Sequence, residues 1–149
     1  MKRVLSFVLA VMIVCMFSVQ GNAVENKQEP IYFEDGSYVT VEVIRNGMRA
    51  SGSVTGSKVY THHDSDGTAN WKVTLTGSFT YTGSSATCTS SSVDVTIYDS
   101  AWYTISESSS KSGNTASASV TMGEKRGGVT VTKVPVSLSL SCDKNGNLS

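Results

Sequence analysis

"WKVTLTGSFTYTG", residues 71–83, alternates without a break. Trp71, Val73, Leu75, Phe79 and Tyr81 fall on one side of an extended chain; Thr74, Thr76, Ser78, Thr80 and Thr82 fall on the other. Successive side chains of a β-strand point to opposite faces, so this is a strand with one apolar and one hydroxyl-bearing face. A strand covered on both faces would be apolar on both. The hydroxyl row is therefore expected to meet water, where the branched carbon of threonine suits the pleat.

The same period of two continues outward. Val39, Val41 and Val43 alternate with Thr40 and Glu42, and Val93, Val95 and Ile97 make another inward row. Ala116, Ala118, Val120 and Met122 alternate with Thr115, Ser117, Ser119 and Thr121. One or two weaker strands are expected over residues 49–60. Asn46-Gly47, Gly83-Ser84-Ser85, Asp99-Ser100, Gly113-Asn114 and Gly127-Gly128 supply the turns. In the last run Val129 and Val131 are odd, whereas Val134, Val136, Leu138, Leu140 and Cys142 are even. One β-bulge near Lys133-Val134 would switch the face, and Pro135 fits beside it because it cannot donate to a ladder. Nothing after residue 24 carries a helical period. The pattern predicts an all-β chain: a single β-sandwich of seven or eight antiparallel strands, with an open β-barrel as the alternative.

The N-terminus gives an address. Lys2 and Arg3 precede an apolar run from Val4 to Val19, and Gly21-Asn22-Ala23 follows. This is the pattern of a secretory signal peptide cleaved after Ala23, with Cys15 inside the discarded part. The run is shorter than the ~20 residues of a spanning helix, so no membrane anchor is expected after cleavage. The layout is then a signal at 1–23, a polar lead-in at 24–36 and a sandwich domain at 37–149. Basic and acidic residues balance at 12 each over the whole sequence, and losing Lys2 and Arg3 leaves a slight acidic excess. No basic stripe suggests nucleic acid; Lys125-Arg126 before Gly127-Gly128 reads as a solvated hairpin tip. In an exported chain, Cys88 and Cys142 are expected to form a disulfide, worth about 4 kcal/mol in the chain-entropy model.

Cys88, Trp102 and Cys142 are spaced rather like the Cys…Trp…Cys of immunoglobulin domains. Leu140 stands where that family's corner tyrosine would, and only seven residues follow Cys142. The resemblance therefore implies the sandwich architecture and not family membership. More broadly, the signal, the W-x-V-x-L-x-G-x-F-x-Y-x-G strand and the closing Cys-Asp-Lys-Asn-Gly-Asn-Leu-Ser resemble short secreted β-proteins of Gram-positive, clostridial-type bacteria. No cell-wall sorting signal or C-terminal apolar tail follows, so a released product is expected.

Three stretches carry candidate chemistry. "THHDSDGTAN", residues 61–70, offers His62, Asp64 and Asp66 as metal ligands. The calcium-loop pattern is incomplete there, and adjacent histidines on a strand point apart, so no metal or other cofactor is expected. Ser108-Ser109-Ser110-Lys111 and Lys111-Ser112-Gly113 match two motifs of penicillin-binding enzymes, but they overlap on one lysine in a Ser-rich segment expected to be a loop. Glu42 and Asp94 are carboxylates on strand faces that nothing pairs for glycoside hydrolysis. "YDSAWY", residues 98–103, concentrates aromatics; Tyr98, Trp102 and Tyr103 are the candidate ligand-binding residues. The expected protein is a secreted, non-catalytic β-sandwich acting through surface binding or cell-envelope interaction, its partner an extracellular or cell-surface ligand. A small extracellular enzyme acting on polysaccharide or cell wall is the alternative. A membrane-active toxin inserting the hairpin of residues 112–141 is the third reading.

Overall fold

The structure is a computed structural model that describes residues 23–46 and 52–149. Residues 1–22 of the expected signal and Gly47 of the Asn46-Gly47 turn lie outside the described residues. The chain forms β1 (Ala23–Lys27), β2 (Ile31–Tyr32), β3 (Tyr38–Arg45), β4 (Ser53–His63) and β5 (Ala69–Tyr81). It continues as β6 (Ala86–Ile97), β7 (Trp102–Ser112), β8 (Thr115–Arg126) and β9 (Val129–Ser141). One sheet has the order β1-β3-β4-β5-β6 with β2 also on β3; the other is β7-β8-β9. All pairings are antiparallel. The two sheets face each other as a β-sandwich, not a closed barrel. From β3 to β6 and from β7 to β9 each strand pairs with the next, and the chain changes sheets once, between Ile97 and Trp102.

The quoted stretch is β5, at the centre of the larger layer. Trp71, Val73 and Leu75 are wholly buried and Phe79 nearly so. Registered pairing extends this row across the sheet: Trp71 lies opposite His62, which lies opposite Val39, and Val73 lies opposite Tyr60, which lies opposite Val41. From the other layer come Ala116, Ala118, Val120 and Met122 of β8 and Val136, Leu138 and Leu140 of β9. The hydroxyl row on the outer face of β5 bonds to its neighbours. Thr76 Oγ1 and Ser57 Oγ are 2.9 Å apart, and Ser78 Oγ and Thr55 Oγ1 3.0 Å apart. Asn46 Nδ2 also donates to Ser57 Oγ at 2.7 Å.

Three expectations are corrected: the lead-in, the place of the bulge and the setting of Ser108–Lys111. The lead-in at 24–36 contains strand: most of β1 and all of β2 fall in it, and Lys27 reaches Glu42 of β3 at 3.2 Å. The one or two weaker strands expected around Gly52 and Gly56 are one strand, β4, in which the bare Cα of Gly56 leaves room for Leu148. The bulge lies upstream of Lys133-Val134. Glu124 pairs Thr132 and Lys125 pairs Thr130, which leaves Val131 between them, half exposed. Pro135 pairs Thr121 regularly, tolerated because β9 is an edge strand with no outer partner for its nitrogen. Ser108–Lys111 lies on strand β7 and not in a loop, and Lys111 Nζ donates to Thr89 O at 2.7 Å.

The structure draws no bond between the Cys88 and Cys142 sulfurs. Cys88 and Cys142 are buried thiols at one end of the sandwich, with Cys88 N donating to Gly113 O and Cys142 N to Asn114 O. Each sulfur has a carbonyl acceptor where it stands: Ser90 O at 3.2 Å and Asp143 O at 3.4 Å. Burial, opposed by the nearby Lys111 ammonium, pushes the Cys88 thiol pKa up.

Candidate functional site

The inward row of β8 does not stop at Met122: Glu124 and Arg126 continue it beyond the apolar core. On the facing layer the inward row of β4 ends in His62, followed by Asp64. The sheet-changing segment adds Asp99 and Trp102, and the β2–β3 turn adds Phe33, Glu34, Asp35 and Ser37. These groups converge at the end of the sandwich remote from the cysteines and line a cleft of about 640 Å³. Sites that hold small ligands span roughly 300–1,000 Å³.

Its floor is aromatic. His62 is 6% exposed. Its ring stacks on Trp71 at 5.1 Å and 8°, and on Phe33 at 6.3 Å and 27°. Trp102 tilts against both His62, at 5.2 Å, and Trp71, at 5.7 Å. Only the ring edges of His62 remain for hydrogen bonding, and the two edges differ. Asp64 Oδ1 stands 2.7 Å from Asn70 Nδ2. A carboxylate oxygen only accepts, so this contact fixes the amide orientation and makes Asn70 Nδ2 the donor. The same nitrogen is 3.2 Å from His62 Nδ1, which must accept. Neutral His62 therefore carries its proton on Nε2. Among the described residues nothing accepts from that Nε2–H, and His62 lines the cleft. Burial, above all, holds the His62 pKa below its ordinary value, against the opposing fields of Asp64, Asp35 and Glu124.

The rim is acidic. Glu124 is balanced: Oε1 accepts from Arg126 Nε at 2.9 Å and Oε2 from Thr132 Oγ1 at 3.1 Å. Glu34, Asp35, Asp64 and Asp99 have no basic side chain within ion-pair distance among the described residues. Asp35 accepts from the Ser37 hydroxyl at 2.6 Å and its amide at 3.0 Å, and these bonds lower its pKa. Asp99 caps the sheet-changing turn by accepting from Ala101 N at 2.9 Å.

Of the residues singled out from sequence, the cleft takes Trp102, His62 and Asp64. Tyr98 stands 54% exposed outside it. Tyr103 lies on the opposite side of β7 from Trp102, bonded through its hydroxyl to Thr130 Oγ1 at 2.6 Å, with Lys125 Nζ 4.3 Å above its ring. His63 faces outward, stacked on Tyr38 at 4.6 Å, and Asp66 accepts from Thr68 N in the exposed turn. His62, Asp64 and Asp66 therefore do not converge on one ligand, and no group of three or more His, Cys, Asp or Glu among the described residues is placed to hold a metal ion. Phe33, Glu34, Asp35, Asp99, Glu124 and Arg126 were not singled out from sequence as site residues. The signal that could have found two of them is the charged continuation of an apolar row, since Glu124 and Arg126 keep the parity of Ala116–Met122. Comparison with protein-family profiles, characterised proteins and solved structures finds no match.

Proposed function

We propose that the protein is a secreted, non-catalytic module that binds a glycan of the cell envelope or its surroundings in this cleft. The observation that carries the reading is the half-exposed ring of Phe33 stacked on His62, both lining the cleft, with no acceptor for the His62 Nε2–H among the described residues. Flat rings suit the C–H faces of a pyranose, and a lone N–H beside them suits a hydroxyl or ring oxygen. The signal-like N-terminus and the likeness to short secreted β-proteins support the extracellular setting. Calorimetric titration with envelope polysaccharides and their oligosaccharides tests it. Phe33, 43% exposed, can be removed at little cost to the fold. Phe33→Ala is expected to weaken binding about tenfold, or about 1.4 kcal/mol, with an unchanged circular dichroism spectrum. Absence of glycan binding, or binding that ignores Phe33→Ala, contradicts the proposal.

A polysaccharide hydrolase is the second reading, favoured by the carboxylates that meet in one cleft. Such chemistry asks for one carboxylic acid kept protonated beside one ionised. Ser37 favours the anion of Asp35, which suits it to accept from a ligand and not to protonate a leaving group, and both carboxylate oxygens of Glu124 already accept from Arg126 and Thr132. Release of new reducing ends from a bound glycan would favour the hydrolase.

A further inference from the structure

The cleft's charge goes beyond what a neutral sugar needs. Four rim carboxylates, Glu34, Asp35, Asp64 and Asp99, lack a basic partner among the described residues, and Arg126 is already engaged by Glu124. Anions gathered round one opening repel each other and are relieved by a cation. Phe33, 43% exposed in the cleft lining, agrees in sign: an aromatic face carries the negative side of its quadrupole, which attracts an ammonium group. The site also asks for more than charge. His62, which lines the cleft, is more than nine-tenths buried, its Nδ1 is occupied by Asn70, and its Nε2–H has no acceptor among the described residues. A basic side chain alone offers no acceptor to that donor. A sugar ring bearing an amino group offers the ammonium, the hydroxyl and ether oxygens, and the flat C–H face in one molecule.

We infer that the ligand is an amino sugar with its amino group free and protonated: a glycan bearing glucosamine-type units without N-acetyl groups, held by Nε2–H of His62, stacked on Phe33 and neutralised by the rim carboxylates. This rests on the glycan-binding reading above. Acetylation turns the ammonium into a neutral amide and adds bulk, so the two forms of one oligosaccharide separate charge from shape. Titrate the full mature chain with glucosamine trimer and, separately, with its tri-N-acetylated counterpart, at neutral pH and low ionic strength. The free amine is expected to bind at least about tenfold tighter, or about 1.4 kcal/mol, and added salt is expected to narrow the gap by screening the exposed rim. Glu34→Gln combined with Asp35→Asn is expected to weaken the free amine several-fold and leave the acetylated trimer unchanged. Glu34 has no hydrogen bond to lose, and unfolding curves report whether the altered Ser37 turn harms the fold. Equal affinity for the two trimers overturns the inference and leaves the glycan reading standing. If neither trimer binds but spermine does, the site is a plain cation site and the amino-sugar assignment falls. If none of the three binds while neutral glycans do, the charge argument alone is wrong; if nothing binds, both readings fall.

Discussion

His62 shows how one side chain can be structural on one edge and open on the other. Its ring is held by Trp71, Phe33 and Trp102, its Nδ1 by Asn70, and only Nε2 is left for a ligand. The same burial makes it titrate abnormally. The groups whose charges act on it are Asp64, Asp35 and Glu124, which favour the imidazolium, and His63, which opposes it; desolvation outweighs the net effect. The folded-state pKa lies below the ordinary 6.5, so below that pH the unfolded chain takes up a proton that the folded chain refuses. The favourable situation holds above pH 6.5, and stability falls as the pH drops toward the folded-state value, by up to about 1.4 kcal/mol per unit. His62→Phe keeps a flat ring and removes the titration. Urea unfolding across this pH range should show the acid-side fall in the parent and a shallower one in the variant. Equal slopes would mean that His62 is not held neutral.

At the scale of the strand, β5 states its own burial. Phe79 packs in the core and its neighbour Thr80 is exposed. Phe79→Ala is expected to cost about 3–5 kcal/mol, as large-to-small core changes do, and Thr80→Lys no more than about 1 kcal/mol. Urea unfolding of both variants measures the contrast; a harmless Phe79→Ala would mean that the strand's inward face is misassigned. The strict alternation of β5 and β8 made their inward rows legible, because period two leaves no freedom once one face is buried. The bulge in β9 was legible in kind but misplaced. A parity change shows only that a residue is inserted somewhere between Val131 and Val134, whereas the cross-strand register selects Val131. β1 and β2 carry no alternation to read, and β2 is exposed, so no core selects its residues.

At the scale of the whole molecule, the layers follow from patterning and the cleft follows from topology. Residues 33–37, 62–64, 99–102 and 124–134 lie far apart in the chain and meet only because every second strand end falls on the same side of an antiparallel meander. Trp102 could be noticed from sequence as part of an aromatic cluster. Its neighbours in space could not, since Tyr98 and Tyr103 are close in sequence but point elsewhere, while Phe33 and His62 come from other elements. The geometry also separates two possible interaction surfaces. The outer hydroxyls bond in pairs, Ser57 with Thr76 and Thr55 with Ser78, whereas the cleft presents four rim carboxylates without a basic partner and a His62 donor without an acceptor among the described residues. The most direct measurement is an NMR titration of the mature, isotope-labelled protein with glucosamine oligosaccharide, followed on backbone amides and the tryptophan side chains. The account predicts saturable shifts confined to residues 33–37, 62–64, 99–102 and 124–134, with Thr55, Ser57, Thr76 and Ser78 unmoved. Shifts centred on that hydroxyl ladder, or none at saturating ligand, would contradict it.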